Sequence, residues 1–286
     1  MKPITIGEYV SRAADRLKTA QIESPRRDAR LLFAYATGKT VEWIVAHNDE
    51  AADELSEFEN VLRRREAREP LSHILGKREF WSLPFKVNAS VLDPRPDSEI
   101  LVSAVLGKYP DSARALQIAD LGTGTGCLLL SILSERPTAQ GMGVDISESA
   151  LSIARKNALR FGLSARANFV QSDWASALDK TFDVVLSNPP YIPTAEIEGL
   201  APEITLYEPR CAIDGGADGL VAYRQIADAL PRILKPNGLV ALEIGQGQEG
   251  SVPEILRDSG IQTVSLERDL AGIPRCVLGR LGSSEK

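Results

Sequence analysis

Length, composition and charge place this chain among globular cytoplasmic proteins. Its 286 residues suffice for one large domain with a smaller one beside it, and 43% apolar and 25% charged residues exclude a disordered chain. The longest apolar runs are far shorter than the ~20 residues of a membrane span, and Met1–Thr5 lacks the apolar core of a signal peptide. Three scattered cysteines, Cys127, Cys211 and Cys276, indicate a reducing compartment, and the net charge of −6 argues against broad nucleic-acid binding. With two histidines and no close cysteine pair, no metal site is predicted.

Residues 1–71 are predicted to form a small all-α domain. Thr5 and Glu8 have the spacing of a capping box, and apolar residues follow at helical intervals. A second helix is predicted between Ser24-Pro25 and Gly38, because proline favours the first helical turn and glycine ends a helix. Two shorter helices are expected where apolar residues repeat at helical spacing, at Thr40–His47 and at Leu55, Phe58 and Leu62.

A run of arginines, Arg63-Arg64-Arg65 with Arg68, lies near the end of this domain. Glutamates are mixed into the run, and mixed charge runs are usually solvated helix faces. We therefore predict a solvated face, with contact to an acidic partner as the alternative. This part of the sequence shows no catalytic constellation.

Residues 72–92 change character and predict a β-hairpin linker between two domains. Aromatic and apolar residues surround the dipeptide Leu83-Pro84 in a short strand-like pattern. The residues that form this pattern are Phe80, Trp81, Leu83, Phe85 and Val87.

Strand and helix patterns alternate from residue 93 to residue 286. Five apolar strands are expected at Ala115–Leu121, Gln140–Val144, Ala167–Val170, Phe182–Leu186 and Leu239–Ile244. Ile261–Leu266 and Arg275–Arg280 then follow each other with only a loop between them, which indicates antiparallel pairing. The pattern predicts an α/β fold, a Rossmann-like, doubly wound, mostly parallel sheet with an antiparallel last strand.

The first candidate ligand site is the glycine loop Asp120-Leu121-Gly122-Thr123-Gly124-Thr125-Gly126 between a strand and a helix. Such a turn lets a ligand approach the backbone at the carboxyl edge of the sheet. Asp145, at the end of the next strand, can bind two ribose hydroxyls. The third glycine comes one residue too early for a dinucleotide loop, and a carboxylate before the glycines suits the ammonium group of S-adenosylmethionine. We predict an S-adenosylmethionine site, with a structural turn that binds nothing as the alternative.

The second candidate element, Ser172-Asp173-Trp174, follows the third strand. Asp173 can accept a hydrogen bond from the amino group of adenine, and Trp174 can stack on the adenine ring. A buried structural tryptophan is the alternative. The predicted cofactor contacts are Gly122, Thr123, Gly124, Thr125, Gly126, Asp145, Asp173, Trp174 and Asn188.

The third motif, Asn188-Pro189-Pro190-Tyr191, directly follows a buried strand and carries the predicted chemistry. Consecutive prolines remove two backbone donors, so carbonyl groups are free to face a ligand. A planar amide or amino nitrogen is a poor nucleophile because its lone pair is delocalised. The Asn188 side-chain oxygen and the Pro189 carbonyl can each accept one N–H and favour a pyramidal nitrogen, while Tyr191 packs on the planar group. We predict Asn188, Pro189, Pro190 and Tyr191 as catalytic residues of a methyltransferase, with an ordinary proline turn as the alternative.

Further segments add to these motifs, and two of them are far more specific than the motifs. The most specific are Gly76-Lys77-Arg78-Glu79-Phe80-Trp81-Ser82-Leu83 and Pro94-Arg95-Pro96-Asp97-Ser98-Glu99. Others are Tyr207-Glu208-Pro209-Arg210, Asp214-Gly215-Gly216 and Glu243-Ile244-Gly245. On these segments the whole chain resembles the bacterial peptide chain release factor glutamine methyltransferases of the HemK/PrmC type. It departs from that pattern at Asp93 and His73, where an apolar and an aromatic residue are expected.

The resemblance implies methylation of the side-chain amide nitrogen of the glutamine in the Gly-Gly-Gln motif of class I release factors, with S-adenosylmethionine as cofactor. Residues 1–71 carry no cofactor motif, so we expect them to recognise the protein substrate, with 93–286 as the methyltransferase domain. Glu208 and Arg210 either hold the substrate loop or have a structural role. We expect a monomer with no stable nucleic-acid partner and no membrane association.

Two other functions fit parts of the sequence. Methyltransferases that act on exocyclic amino groups of adenine in nucleic acid also use Asn-Pro-Pro-Tyr, but a duplex-DNA enzyme must flip its base and track phosphates. The acidic pI of about 5.2 and the small helical N-terminal region do not favour that function. A non-catalytic S-adenosylmethionine-binding module would not need the intact motif Asn188–Tyr191.

Overall fold

The computed structural model describes residues 4–52, 56–269 and 271–282. Within these ranges the chain forms two compact units. The helical unit contains the chain up to Lys77 together with Ala201–Tyr207. The second unit contains Arg78–Leu200 and the chain from Glu208 onward, and it is called the methyltransferase unit after the domain that the sequence predicts there. Nothing in the sequence predicts that Ala201–Tyr207 belongs to the helical unit. Along the described ranges, no helix is both long and apolar enough to cross a membrane.

The helical unit begins with five helices that pack around an apolar core. They are α1 (Ile6–Thr19), α2 (Pro25–Thr37), α3 (Val41–Ala46), α4 (Ser56–Glu66) and α5 (Leu71–Leu75). The predicted capping box is present, because the Thr5 hydroxyl accepts from the Glu8 amide at 3.2 Å and the Glu8 carboxylate accepts from the Thr5 amide at 3.0 Å. Gly38 ends α2 in the left-handed region, as predicted. Leu55, predicted as part of the fourth helix, lies outside the described residues.

The prediction of a solvated arginine face is wrong for Arg65. Its side chain is buried, because α4 turns it toward α2 and toward Ala201–Tyr207. The guanidinium donates from Nε to Asp28 at 2.9 Å and from Nη1 to Glu203 at 3.2 Å. Arg68 also pairs with Glu203. A buried charge needs such partners, since desolvation without them is costly.

Glu203 shows the same pairing from the acidic side. Burial alone would raise the pKa of its carboxyl group, but hydrogen bonds from Arg68 and Arg65 outweigh burial and hold that pKa below its ordinary value. The Tyr207 hydroxyl donates to the Ala67 carbonyl at 2.7 Å. Polar contacts therefore hold both ends of the segment Ala201–Tyr207 within the helical unit.

The predicted hairpin is present but short. Its strands are β1 (Lys77–Phe80) and β2 (Leu83–Lys86). Trp81 and Ser82 join the strands at φ of 51° and 57°, values typical of a tight hairpin turn whose twist matches the strands. The residues before the hairpin are helical in α5, and Gly76 ends that helix in the left-handed region.

Seven strands of the described chain form one mixed sheet in the methyltransferase unit, in the order β5-β4-β3-β6-β7-β9-β8. They are β3 (Gln117–Leu121), β4 (Gln140–Asp145), β5 (Ala167–Gln171), β6 (Phe182–Ser187), β7 (Leu234–Glu243), β8 (Ile261–Arg268) and β9 (Pro274–Leu281). The first five strands in this order are parallel, and β9 is antiparallel to both of its neighbours. The predicted fold class is confirmed.

Helices follow or separate these strands, and two large apolar clusters and one small one lie in the methyltransferase unit. The helices are α6 (Glu99–Lys108), α7 (Cys127–Glu135), α8 (Glu148–Arg160), α9 (Pro202–Thr205), α10 (Arg210–Ile213), α11 (Val221–Ile233) and α12 (Ser251–Asp258). Of these, α9 belongs to the helical unit. Parallel pairing aligns Leu121 with Ser187 and Ser187 with Leu242, so the segments after β3, β6 and β7 leave the sheet at one edge. Ligands bind at this carboxyl edge in doubly wound folds.

Candidate active site

A cleft opens at the carboxyl edge of the sheet, within the methyltransferase unit. It encloses about 210 Å³, far more than the ~30 Å³ that one water molecule occupies. Seven of the predicted site residues line it: Gly122, Gly124, Asp145, Asp173, Trp174, Asn188 and Pro190. Five predicted residues do not line it: Thr123, Thr125, Gly126, Pro189 and Tyr191.

The glycine loop joins β3 to α7 as a tight turn. Gly122, Gly124 and Gly126 all have positive φ, a conformation that glycine adopts without steric cost. The amides of Gly122 and Thr123 both donate to the Val144 carbonyl at 2.8 Å. The Thr125 side chain is buried. The glycines therefore expose backbone to the cleft, while the threonine side chains support the loop from behind.

Asp145 connects the loop to the next helix. One carboxylate oxygen accepts from the Gly124 amide at 2.9 Å, and the other accepts from the Ser147 amide at 2.9 Å. Ser147 in turn caps α8 by accepting from Ala150. Asp145 lines the cleft as predicted, so it both organises the loop and offers its remaining lone pairs to a ligand.

Asp145→Ala is expected to weaken S-adenosylmethionine binding roughly 10- to 100-fold. The loss of charge-assisted hydrogen bonds costs about 1.5–3 kcal/mol, and about 1.4 kcal/mol corresponds to a tenfold change in affinity. Calorimetric titration measures the change, and Glu148→Ala, which removes an exposed carboxylate of the neighbouring helix, is the matched control. Unchanged affinity in the Asp145 variant would remove this residue from the cofactor site.

Asp120 is a buried acid behind the glycine loop. Thr123 Oγ1 donates to its Oδ2 at 2.7 Å, whereas its Oδ1 has no hydrogen-bond partner among the described residues. Burial raises the pKa of Asp120 to about 7, the Thr123 hydrogen bond opposes this, and the Asp145 charge adds to it. A buried acceptor with an unused oxygen fits a cationic ligand group beside the loop, as the ammonium group of S-adenosylmethionine would provide.

The raised pKa of Asp120 predicts a pH-dependent stability. A carboxyl group whose folded-state pKa exceeds its unfolded value stabilises the fold below pH ~4, and this contribution is lost as pH rises through about 7. Asp120→Asn mimics the protonated acid, so without ligand the variant should gain stability relative to the parent between pH 4 and pH 8. The gain is on the order of a few kcal/mol, at about 1.4 kcal/mol per pKa unit.

Chemical denaturation at several pH values measures this difference. The matched variant Asp179→Asn changes an exposed carboxylate and should show no such trend. An Asp120→Asn variant whose stability relative to the parent is the same at pH 4 and pH 8 would contradict the expected pKa.

Trp174 is held in place at the cleft by backbone and side chain. Its φ of 44° lies in the left-handed region, which is uncommon for a bulky residue and occurs where surrounding structure enforces it. Its indole Nε1 donates to Gln225 Oε1 at 2.8 Å. Asp173 lines the same cleft. Gln225 lies on α11, and nothing in the sequence predicts its contact with Trp174.

The Asn-Pro-Pro-Tyr loop begins where β6 ends. Asn188 Nδ2 donates to Ser98 Oγ at 3.1 Å. Pro189 is buried, and Pro190 lines the cleft. Tyr191 packs against the apolar cluster, where burial and then the nearby Glu243 charge raise the pKa of its hydroxyl to about 12. The loop thus presents Asn188 and Pro190 to the cleft and anchors itself through the other two residues.

The segment Asp214-Gly215-Gly216 supports this loop. Ile192 donates to the Ile213 carbonyl at 3.1 Å, and its own carbonyl accepts from Gly215 at 2.8 Å. A Cβ atom at Gly215 would lie 2.9 Å from the Pro190 carbonyl oxygen, so only glycine allows this approach. The glycines of this segment therefore shape the loop without contacting the cleft.

Glu208 makes structural hydrogen bonds within the methyltransferase unit. It is buried, and it accepts from the Asp93 amide at 3.2 Å and from Arg95 Nη2 at 2.9 Å. Burial raises its pKa to about 7, opposed by Arg95. Asp93, which departs from the expected apolar residue, is also buried and lies 3.7 Å from Arg78, which supplies an opposite charge. Arg210 is exposed and pairs with Asp214.

Comparison with known proteins gives the same picture as the fold and the cleft. Residues 8–76 match the family model of the PrmC N-terminal domain, and residues 92–233 match that of the methyltransferase small domain. A methyltransferase from Pyrococcus furiosus shares the fold, with a TM-score of 0.52 and 17% identity over 70% of this chain and 89% of that chain. Fold and cleft define the class of protein: an S-adenosylmethionine-dependent methyltransferase.

Full-length relatives are more specific. The release factor glutamine methyltransferase of Caulobacter vibrioides is 44% identical over 279 residues, which cover 96% of each chain. That of Rhodospirillum rubrum is 44% identical over 279 residues, which cover 97% of this chain and 85% of the relative. The chain belongs to the release factor glutamine methyltransferase family.

Proposed function

We propose that this protein transfers a methyl group from S-adenosylmethionine to the side-chain amide nitrogen of the glutamine in the Gly-Gly-Gln motif of class I release factors. The observation that carries the proposal is the position of Asn188. Its side chain lies at the cleft beside Pro190, one residue beyond the end of β6, and faces the same space as the glycine loop and Asp145. The family assignment supplies the substrate class.

The cofactor residues proposed here divide into two groups. One group lines the cleft and is proposed to contact the ligand: Gly122, Gly124, Asp145, Asp173, Trp174 and Asn188. Thr123, Thr125 and Gly126 act through the shape of the loop. When bound, S-adenosylmethionine supplies an electrophilic methyl group.

The proposed chemistry at the target nitrogen is carried by the Asn-Pro-Pro-Tyr loop. The Asn188 Oδ1 and the Pro189 carbonyl each accept one N–H of the glutamine amide, which draws the nitrogen toward a pyramidal geometry. Pro190 lines the cleft and bounds the space for the planar amide, while Tyr191 anchors the loop in the apolar cluster. These bonds strengthen as the nitrogen becomes a nucleophile, and interactions that are stronger in the transition state raise the rate itself. No strong base is required, because the methylated nitrogen becomes acidic and loses one proton.

Recognition of the release factor is assigned to the helical unit as part of the same proposal. All residues that line the cleft belong to the methyltransferase unit, so the helical unit is not needed to form the cofactor site. A monomer in the cytoplasm completes the proposal. The free thiols of Cys127, Cys211 and Cys276 are consistent with that compartment.

A methylation assay with mapping of the product tests the proposal. The protein is incubated with labelled S-adenosylmethionine and either a class I release factor, the same factor with the motif glutamine changed to alanine, or adenine-containing RNA and DNA. Label on the intact factor alone, located on the glutamine side-chain nitrogen, is the expected result. Label on nucleic acid and none on the factor would instead assign the enzyme to adenine amino groups.

A further inference from the structure

The orientation of the Asn188 amide decides whether its oxygen or its NH2 group faces the methyl acceptor. The proposed function requires the oxygen at the cleft, because the target nitrogen offers N–H groups. Ser98 alone cannot enforce this orientation. A hydroxyl group both donates and accepts, so it could bond to either end of the amide. Ser98 therefore needs a second partner that can only accept hydrogen bonds.

Glu243 is placed to be that partner. In the parallel pair β6–β7, Ser187 is aligned with Leu242, so Asn188, the first residue after β6, follows next to Glu243, the last residue of β7. Glu243 is only 3% exposed, and the side chains of Ser98 and Asn188 are close enough to its carboxyl group to lower its pKa. Ser98 is 2% exposed, at the end of the short 3-10 helix Pro96–Ser98.

An ionised carboxylate has acceptors only. The Ser98 hydroxyl then donates its hydrogen bond to Glu243. A lone pair of Ser98 Oγ remains to accept from Asn188 Nδ2, which lies 3.1 Å away. The Asn188 NH2 group is thereby directed into the protein and its oxygen toward the cleft. Glu243 Oε2 has no partner that meets hydrogen-bond geometry among the described residues, so the acid retains capacity to accept.

We propose that Ser98 and Glu243 are positioning residues that fix the amide of Asn188 with its oxygen toward the methyl acceptor. This proposal rests on the proposed function of Asn188. Neither residue touches the substrate, and both act through Asn188.

Protonation of Glu243 would remove the constraint on the orientation of the Asn188 amide. A neutral carboxyl group can donate to the Asn188 oxygen, so the reversed amide becomes possible. Burial raises the pKa of Glu243 to about 7, against the lowering effect of Ser98, Arg275 and Asn188, while Asp97 raises it further. The other titratable groups whose pKa values respond to the Glu243 charge are Tyr191, Tyr223, Cys127 and Cys276. The rate of methyl transfer should therefore rise with pH through this range.

The test compares single-turnover methyl transfer to a release factor at saturating cofactor in five variants: Ser98→Ala, Ser98→Thr, Glu243→Gln, Asn188→Ala and Ser98→Ala with Asn188→Ala. Ser98→Ala should be about 10- to 100-fold slower, the scale of a small misplacement of a reacting group. Ser98→Thr keeps the hydroxyl and should restore the rate to within a few-fold. Glu243→Gln offers both donor and acceptor, so it should be slower and should lose the rise in rate around pH 7.

Melting temperature and cofactor affinity are measured on each variant, since a purely structural role would lower both along with the rate. The double variant should be no slower than Asn188→Ala alone, because residues that act through one another are not additive. Ser98→Ala at the parent rate, or a full additional loss in the double variant, overturns the positioning role. Full activity of Asn188→Ala overturns the proposed function instead, whatever Ser98 does.

Discussion

Asn188→Ala is expected to lower the rate of methyl transfer by about 100- to 1000-fold, while affinity for S-adenosylmethionine stays within a few-fold of the parent value. Removal of one preorganised group that acts on developing charge typically has an effect of this size. The side chain of Asn188 lies at the cleft, while its backbone follows β6 and is held by the buried Pro189. The substitution therefore removes the acceptor and leaves the loop in place.

Single-turnover methylation, calorimetric cofactor binding and thermal unfolding on the same variant separate chemistry from folding. Asn168→Ala, on the exposed side of β5, is the matched control and should leave all three unchanged. Asn188→Asp keeps an oxygen acceptor and should retain part of the activity that alanine loses. A folded Asn188→Ala variant that binds cofactor and transfers methyl at the parent rate would end the assignment of Asn188 to the reaction.

Arg65→Leu is expected to lower the stability of the helical unit by about 3–5 kcal/mol. The substitution leaves Asp28 buried without its cation and takes one of two cations from Glu203, and unpaired buried charges cost this much. Arg63→Leu changes an exposed arginine of the same run and should stay within about 0.5 kcal/mol of the parent. Chemical denaturation followed by tryptophan fluorescence measures the change, with Trp43 in α3 as the tryptophan of the helical unit and Trp81 and Trp174 as those of the other unit.

The same variant tests the role assigned to the helical unit. Because the cleft is formed by the methyltransferase unit, Arg65→Leu should keep cofactor affinity and lose methylation of the release factor at temperatures where the helical unit has unfolded. Arg63→Leu should keep both. Normal release-factor methylation by a protein with an unfolded helical unit would show that recognition lies elsewhere.

Local sequence signals predicted the architecture well. Apolar strands that alternate with helices indicated the sheet, and the lack of a helix between the last two strands indicated their antiparallel pairing. Positive φ at Gly122, Gly124 and Gly126 explains why glycines stand there, and α7 begins at Cys127, directly after the last of them. Glycines in the left-handed region postpone the first regular helical turn.

What the sequence could not show depends on contacts between distant segments. The burial of Arg65 requires Glu203, and no local pattern connects an arginine run on one helix with a short helix so far along the chain. The alignment of β6 with β7 places Glu243 next to Asn188, and Ser98 contacts Asn188 from the 3-10 helix Pro96–Ser98, which spacing alone does not specify. The threonines of the glycine loop were predicted to contact the cofactor, but they do not line the cleft. A sequence motif identifies residues and does not show in which direction their side chains point.

The path of the chain has a consequence for how this protein can be recombined with its relatives. The chain passes from one unit to the other after Lys77, again after Leu200 and once more after Tyr207. A hybrid that takes only residues 1–77 from a relative would combine the helices of that relative with Glu203 of this chain. The ion pairs of Glu203 would then form only if the relative also has arginines at the positions of Arg65 and Arg68. A transplant that carries residues 201–207 along with the helices would preserve the pairing, so two stretches far apart in the gene must be inherited as one unit of exchange.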